Sequence, residues 1–257
     1  MSYGIIGVGS IAQAIVTGLS RCEREAPRIL LSPRNERRAA QLAALYPNVH
    51  IASSNQAVVD DSSVLILSLR PNLARAVLGE LNWSEGQAAI SVMAGVQLEM
   101  LRGLLAPARD IARAIPLPSV ALGRGFTAVH PLTTAAKVLF DRLGVTIEAP
   151  NVLAFEAFSA STATIATHFA YLDAVSRWLA AKGIREEDAR SYVAAMFSEV
   201  ADSLATDEID FRRLSKEYAT PGGLNEQFLA LLEDANVFDV VDQGLRAVHD
   251  RLMQRQP

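Results

Sequence analysis

Two glycines and an alanine near the start of the chain, Gly7, Gly9 and Ala12, have the spacing Gly-x-Gly-x-x-Ala. They follow a short apolar segment and open an alanine-rich one. Gly7 would allow a tight strand-to-helix turn, Gly9 a close approach of ligand to backbone, and Ala12 the packing of helix on strand. The free N–H groups of a helix beginning at Ser10 and Ile11 suit phosphate groups. The pattern predicts a dinucleotide pyrophosphate site, and the alternative is an ordinary glycine-rich turn.

The end of the second predicted strand indicates which dinucleotide would bind. NAD-specific sites usually place Asp or Glu there to accept hydrogen bonds from the ribose hydroxyls. This chain has Ser32-Pro33-Arg34 instead. The Ser32 hydroxyl and the Arg34 guanidinium, with Arg37 or Arg38, would bind a ribose 2′-phosphate through charge-assisted hydrogen bonds. We therefore expect NADPH rather than NADH, the alternative being a solvated basic start of a helix.

Strands alternate with helices over residues 1–150, which is typical of a mostly parallel sheet covered on both faces. The predicted strands are Tyr3–Ile6, Ile29–Leu31, His50–Ala52, Val64–Ser68, Ala88–Ser91, Ile111–Ala114, Phe126–Val129 and Val145–Glu148. The predicted helices between them are Ile11–Arg24, Asn35–Leu45, Ser54–Asp60, Leu73–Glu80, Leu98–Leu105 and Thr133–Leu143.

Residues 151–257 have a helical pattern throughout, so we place a domain boundary near residue 150. The predicted helices are Val152–Lys182, with an interruption at Ser159–Thr164, then Glu186–Ala205, Asp210–Glu217, Asn225–Glu233 and Val237–Arg255. The stretch Ile165–Leu179 is apolar around much of its circumference, and such a helix needs more than one packing partner. It is either a central core helix or part of a subunit interface.

The composition sets the class of protein. The chain has 257 residues, half of them hydrophobic, and a net charge of −4, which fits a globular protein without nucleic-acid or membrane partners. No apolar run approaches the roughly 18 residues that would span a bilayer. The single cysteine, Cys22, cannot form an internal disulfide, so we expect a reducing, cytoplasmic environment. The histidines lack metal-ligand spacing, and no metal is expected.

Taken together, the motifs give the chain a resemblance, over its full length, to the pyrroline-5-carboxylate reductases, which make proline by reducing a cyclic imine with NAD(P)H. The segments that carry the resemblance are Ile5-Ile6-Gly7-Val8-Gly9-Ser10-Ile11-Ala12, Leu31-Ser32-Pro33-Arg34-Asn35, Val64-Leu65-Ile66-Leu67-Ser68-Leu69-Arg70-Pro71, Ser91-Val92-Met93-Ala94-Gly95-Val96 and Thr220-Pro221-Gly222-Gly223. The resemblance implies an α/β fold: a Rossmann-type doubly wound sheet in residues 1–150 and an all-helical substrate and dimerisation domain in residues 151–257. It also implies a homodimer or a higher homo-oligomer.

The resemblance also implies which residues line the coenzyme crevice. Those after the fourth and fifth strands are Ser68, Leu69, Arg70, Pro71, Ala94 and Gly95. This position agrees with the rule that ligands bind at the carboxyl ends of the strands in an open parallel sheet. Arg70 stands where the family usually has lysine and keeps the positive charge, although a structural ion pair would explain it equally well.

The family loop that holds the substrate carboxylate typically reads Ser-Pro-Gly-Gly-Thr-Thr, where this chain has Thr220-Pro221-Gly222-Gly223-Leu224-Asn225. The Gly222-Gly223 turn could still form a nest of N–H groups for an anion. Thr220 keeps a hydroxyl and Asn225 offers an amide, so both are candidates to contact the imine. The alternative for Gly222-Gly223 is a plain turn.

Two further segments depart from the family. Ile115-Pro116-Leu117-Pro118-Ser119 replaces Met-Pro-Asn-Thr-Pro, and residues 159–165 replace Ser-Gly-Ser-Gly-Pro-Ala-Tyr, which leaves Ser161 and Thr164 as candidate substrate contacts. The differences concentrate in the substrate half. Two alternatives therefore stay open: a reductase for another imine or a 2-oxo acid, and an NADPH-binding sensor without turnover.

Overall fold

The computed structural model describes residues 2–21, 26–204 and 210–254. Cys22 and the predicted helix ends Arg24, Ala205 and Arg255 lie outside these ranges. The chain divides into two compact units. The sheet unit runs to Ser159 and also takes in the chain from Arg251, and the helical unit is Ala160–Asp250.

All eight predicted strands are confirmed among the described residues, with ends that differ by one residue at most. They are β1 (Tyr3–Ile6), β2 (Ile29–Leu31), β3 (Val49–Ile51), β4 (Val64–Leu67), β5 (Ala88–Ser91), β6 (Asp110–Ile115), β7 (Gly125–His130) and β8 (Gly144–Glu148). They form one sheet in the order β3-β2-β1-β4-β5-β6-β7-β8, in which only β6 and β7 pair antiparallel. The strand order reverses direction between β1 and β4, which makes their carboxyl ends the expected ligand crevice.

Helices cover both faces of the sheet because its central strands are apolar on both sides. Ile5 and Ile66 belong to one buried cluster, and their chain neighbours Ile6 and Leu65 belong to another. Alternate residues of a strand point to opposite faces, so the two clusters are the two sides of a doubly wound sheet. The helices of this unit are α1 (Ser10–Ser20), α2 (Glu36–Leu45), α3 (Asn55–Asp60), α4 (Ala74–Leu78), α5 (Leu98–Leu104), α6 (Thr134–Asp141) and α7 (Val152–Ser161), with 3-10 turns at Pro71–Leu73 and Pro118–Leu122.

Helix α7, which the sequence pattern assigned to the helical half, packs with the sheet instead. Its Glu156 is fully buried, and Oε1 lies 2.7 Å from Nη1 of Arg113 on β6, which is also buried. The Arg113 guanidinium carbon lies 4.4 Å from the ring centroid of Phe155, the residue before Glu156. This buried pair explains why the sheet unit extends beyond residue 150, to Ser159.

The helical unit contains α8 (Thr164–Ala181), α9 (Glu186–Asp202), α10 (Phe211–Tyr218), α11 (Leu224–Asp234) and most of α12 (Val237–Gln254). The predicted helix Val152–Lys182 is therefore two helices, broken at Thr162–Ala163 where the predicted interruption lies. Helices α8 and α9 meet through edge-on ring contacts of His168 and Tyr171 with Phe197. The last turn of α12 belongs to the sheet unit, where Gln97 donates to the Leu252 carbonyl at 3.3 Å.

Much of the apolar surface of the helical unit is exposed in the single chain. Phe169 and Trp178 on α8 are 63% and 60% exposed, and the buried residue of that helix is Ser176. The exposure favours a subunit interface over a central core helix for Ile165–Leu179. Among the described residues, no helix combines the length and apolar character needed to cross a membrane.

The buried pair makes a specific prediction about stability. In Glu156→Gln the Arg113 charge loses its counter-ion without a change of shape, so we expect the free energy of unfolding to fall by about 3 kcal/mol in urea titrations. The double variant Arg113→Met/Glu156→Leu removes both charges and should be more stable than Glu156→Gln alone. A Glu156→Gln protein as stable as the wild type would contradict this role.

Candidate functional site

The turn between β1 and α1 contains two glycines, and the structure gives a different reason for glycine at each position. Gly7 has a φ of +93°, and a Cβ there would lie 2.5 Å from the Ser68 carbonyl oxygen. The close packing of the turn against the end of β4 therefore requires glycine at this position. Gly9 has a φ of −90°, and a Cβ there would meet nothing nearer than Ser68 Oγ at 3.9 Å.

Because no atom of the described residues excludes a side chain at Gly9, the space in front of it suits a ligand that approaches the backbone. Gly9 precedes α1, whose N-terminus has no capping side chain. Ser10 is exposed and Ala12 is fully buried, which agrees with the predicted phosphate-facing and packing positions. The turn therefore fits the pyrophosphate of a dinucleotide.

Two hydrogen bonds tie this turn to the end of β2. The Gly7 N–H donates to Ser32 Oγ at 3.0 Å, and Asn35 Nδ2 donates to the Val8 carbonyl at 3.0 Å. Ser32 is only 1% exposed, so the expected contact between its hydroxyl and a ribose phosphate is corrected: Ser32 orients Gly7 instead. Asn35, which the sequence reasoning did not place in the site, also caps α2 by accepting from the Arg38 N–H.

The remaining predicted coenzyme residues lie at the carboxyl ends of β2, β4 and β5. Arg34 is exposed in the turn after β2. After β4, Ser68 donates its N–H to the Ile6 carbonyl at 2.9 Å, followed by Leu69, exposed Arg70 and Pro71. After β5, exposed Ala94 precedes Gly95, which has a φ of +72°.

The two predicted cationic positions lack anionic partners in the parts of the chain that are described: neither Arg34 nor Arg70 forms an ion pair there. Within the described residues, no structural ion pair explains Arg70. Because β1 lies between β2 and β4, the segments after β2, β4 and β5 border one crevice with the glycine turn in its middle.

In the helical unit, the loop between α10 and α11 forms the predicted glycine turn. Gly222 has a φ of +70°, and the Gly223 N–H donates to the Thr220 carbonyl at 2.8 Å. The Gly222 N–H donates to Oε2 of Glu226 at 2.7 Å. Asn225 Nδ2 donates to the Tyr218 carbonyl at 3.2 Å, so this amide holds its own loop. The Gly222 and Gly223 N–H groups and the Asn225 amide, which the sequence assigns to the substrate, therefore have partners inside the chain.

Four of the six predicted substrate residues line two cavities of the helical unit. Gly222 and Gly223 line one of about 600 Å³. Thr164 and Asn225 line another, of about 860 Å³. Ser161 and Thr220 line neither of these two, and the Ser161 carbonyl instead accepts from the Thr164 hydroxyl at 2.8 Å.

His168 and Tyr171 also line the larger cavity, although the sequence reasoning did not assign them to a site. With Thr164 they follow the spacing i, i+4, i+7, which places them on one face of α8. That spacing was available in the sequence. What it lacked was the second wall of the cavity, which α11 and α12 supply through Phe228 and Val241.

Two family models match this chain. The model described as NADP oxidoreductase coenzyme F420-dependent matches residues 2–95, which include the glycine turn and the β4 and β5 ends. The model of pyrroline-5-carboxylate reductase dimerisation matches residues 153–255. The second match agrees with the exposed apolar side chains of the helical unit and indicates a homo-oligomer.

Curated relatives match the chain over nearly its full length. The pyrroline-5-carboxylate reductase of Haemophilus influenzae is 24% identical over 263 residues, which cover 98% of this chain and 96% of the relative. That of Synechocystis is 26% identical over 260 residues, with coverage of 98% and 97%.

Solved structures share the fold. The 1-pyrroline-5-carboxylate reductase of Streptococcus pyogenes superposes with a TM-score of 0.82 at 24% identity and covers 98% of each chain. The Plasmodium falciparum pyrroline carboxylate reductase with NADP bound gives 0.80 at 15% identity and covers 100% of this chain and 98% of its own. A reductive aminase from Aspergillus terreus, in complex with NADPH and ethyl-5-oxohexanoate, gives 0.62 at 15% identity and covers 98% and 92%.

The two glycines of the turn should respond differently to the same substitution. Gly9→Ala adds a methyl group where only a ligand would lie, so we expect NADPH affinity to fall at least about tenfold while the melting temperature stays near that of the wild type. Gly7→Ala should instead lower the stability by on the order of 1–3 kcal/mol, because its conformation and its contact with Ser68 exclude a Cβ. Calorimetric titration and thermal unfolding of both variants check this. Unchanged NADPH affinity in Gly9→Ala would remove that residue from the site.

Proposed function

The chain belongs to the pyrroline-5-carboxylate reductase family, and from this membership we propose that it reduces pyrroline-5-carboxylate to proline with NADPH. The observation that carries the proposal is the glycine turn. No contact of Gly9 with the described part of the chain demands glycine there, and both halves of the chain match reductase families.

The coenzyme supplies the hydride, and the protein has to bind and orient the two reactants and exclude water. In the sheet unit, the Gly7–Gly9 turn and the N-terminus of α1 hold the pyrophosphate, and the segments Ser68–Pro71 and Ala94–Gly95 line the crevice. In the helical unit, the Gly222-Gly223 turn takes the substrate carboxylate once Glu226 releases the Gly222 N–H. Thr220 and Asn225 are the polar side chains that contact the imine, with Ser161 and Thr164 as further substrate contacts.

A protonated imine already carries a positive charge, so its carbon accepts hydride without a strong general acid. A hydroxyl group or an ordered water is enough to orient the proton on nitrogen. This requirement is modest, and the polar groups of the helical unit, among them Thr164 and Asn225 in the larger cavity, meet it.

We also propose that NADPH is preferred over NADH. The turn after β2 offers the exposed guanidinium of Arg34, whereas the Ser32 hydroxyl is buried. No carboxylate stands there to bind the ribose hydroxyls of NADH. The preference therefore depends mainly on Arg34, with Arg37 and Arg38 on the first turn of α2 as further cations.

The helical unit, on this proposal, pairs with a second copy to form a homodimer, because its exposed aromatic and aliphatic side chains need apolar partners. The cytoplasm is the proposed location, since a single cysteine cannot form an internal disulfide.

A second candidate function is the reduction of an imine that carries no carboxylate. It is favoured by the internal acceptor at Gly222, where Glu226 already occupies the N–H. The structural likeness to a reductive aminase, weaker than that to the pyrroline-5-carboxylate reductases, is compatible with it.

Coenzyme preference is tested by Arg34→Ala. A charge-assisted hydrogen bond to phosphate contributes enough that its loss should weaken NADPH binding about tenfold or more. NADH, which has no 2′-phosphate, should bind as before. Arg28→Ala removes the same charge at the opposite end of β2 and should change neither affinity. Equal losses for NADPH and NADH in calorimetric titrations would refute the assignment.

The activity is tested by following NADPH oxidation with pyrroline-5-carboxylate and identifying proline chromatographically. We expect saturable turnover that requires both substrates. A parallel panel of cyclic imines without a carboxylate and of 2-oxo acids tests the alternatives. Turnover confined to that panel would replace the proposed substrate, and NADPH binding without turnover on any compound would mean a sensor.

A further inference from the structure

Glu226 holds a position that the substrate of the proposed reaction would also need. Its Oε2 accepts the N–H of Gly222 at 2.7 Å, within the turn assigned to the substrate carboxylate. Glu226 also lines the cavity of about 600 Å³ together with Gly222 and Gly223. A carboxylate of the chain itself therefore occupies the N–H group that a bound acid would use.

The sequence explains why Glu226 reaches this group. Gly223 precedes α11, and Glu226 is the third residue of that helix. A glutamate at the third helical position can turn back and accept an N–H group ahead of the helix, as in a capping box. Its negative charge is also favoured by the positive end of the helix dipole. The contact therefore follows from the local sequence Gly222-Gly223-Leu224-Asn225-Glu226.

Two carboxylates cannot accept one N–H at the same geometry, and their like charges repel each other at that distance. An imine with a carboxylate must therefore displace Glu226 from Gly222. The free energy of its binding is then reduced, because the hydrogen bond between Glu226 and Gly222 is lost when the substrate forms its own. An imine of the same ring without a carboxylate leaves Glu226 in place.

We propose that Glu226 is a specificity-determining residue: it weakens the binding of cyclic imines and amines that carry a carboxylate, relative to those of the same ring that do not. The proposal rests on the proposed function, because it assumes that the Gly222-Gly223 turn is the carboxylate subsite of a reductase. It assigns to Glu226 no contact with the reacting atoms.

The test compares Glu226→Ala and Glu226→Gln with the wild type on two substrates of one ring, pyrroline-5-carboxylate and 1-pyrroline. In Glu226→Ala we expect the KM for pyrroline-5-carboxylate to fall about three- to tenfold, the effect of one hydrogen bond of this kind. The KM for 1-pyrroline should stay within about twofold of the wild-type value, since that ring has no carboxylate to accept the Gly222 N–H. Glu226→Gln keeps an acceptor for Gly222 but removes the charge, and should give an intermediate shift.

Asp234 provides a matched control. It is the last residue of α11 and lines neither cavity, so Asp234→Asn removes an equal charge from the same helix without touching the Gly222 contact. Its KM values for both substrates should match those of the wild type. Thermal unfolding of Glu226→Gln, which retains the cap, checks that a change in KM is not a loss of folding.

A second readout separates this inference from the proposed function. Calorimetric titration of the NADP-loaded protein with proline and with pyrrolidine compares a ring with and without a carboxylate and needs no turnover. Tighter proline binding in Glu226→Ala, with the affinity for pyrrolidine unchanged, supports the role of Glu226. This holds even if the protein does not reduce pyrroline-5-carboxylate, a result that would refute the proposed function alone. An unchanged or weakened affinity for proline in Glu226→Ala, together with an unchanged ratio of KM values, would overturn the inference.

Discussion

The close approach of the β1–α1 turn to the end of β4 is the constraint on which the rest of the coenzyme crevice depends. At Gly7 the two segments come so near that a Cβ would overlap the Ser68 carbonyl oxygen. The Ser32 hydroxyl and the Asn35 amide fix the other side of the same turn. The ends of β2 and β4 thereby hold one backbone segment in a single conformation. Among the described residues, a Cβ at Gly9 would meet no atom nearer than 3.9 Å.

The two units contrast in what stabilises them. The sheet unit has two buried apolar clusters, one on each face of the sheet, and a buried ion pair that binds α7 to β6. The helical unit leaves large side chains such as Phe169 and Trp178 largely exposed. Large apolar side chains exposed together on several helices are typical of a surface that is buried between subunits. The match to a dimerisation family over residues 153–255 has the same implication.

Much of the sheet unit was predictable from the sequence because its information is local. Short apolar runs between proline and glycine residues define the eight strands, and the spacing of Gly7, Gly9 and Ala12 defines the turn. Long-range partners were not predictable. The inward orientation of Ser32 depends on Gly7, which lies 25 residues away in the chain. The packing of α7 depends on Arg113, and a charged residue of this kind is not expected from the sequence to be buried. In the helical unit, periodicity predicted the helices but not the exposure of their apolar faces, and the Glu226 contact was overlooked although its capping spacing is local.

The central claim is that the crevice at the carboxyl ends of β1, β2, β4 and β5 binds a phosphorylated nicotinamide dinucleotide. Calorimetric titration of the unmodified protein with NADPH, NADP and NADH tests it most directly. We expect saturable binding with one site per chain and a higher affinity for NADPH and NADP, which carry the ribose 2′-phosphate, than for NADH. Absence of binding by all three would contradict it.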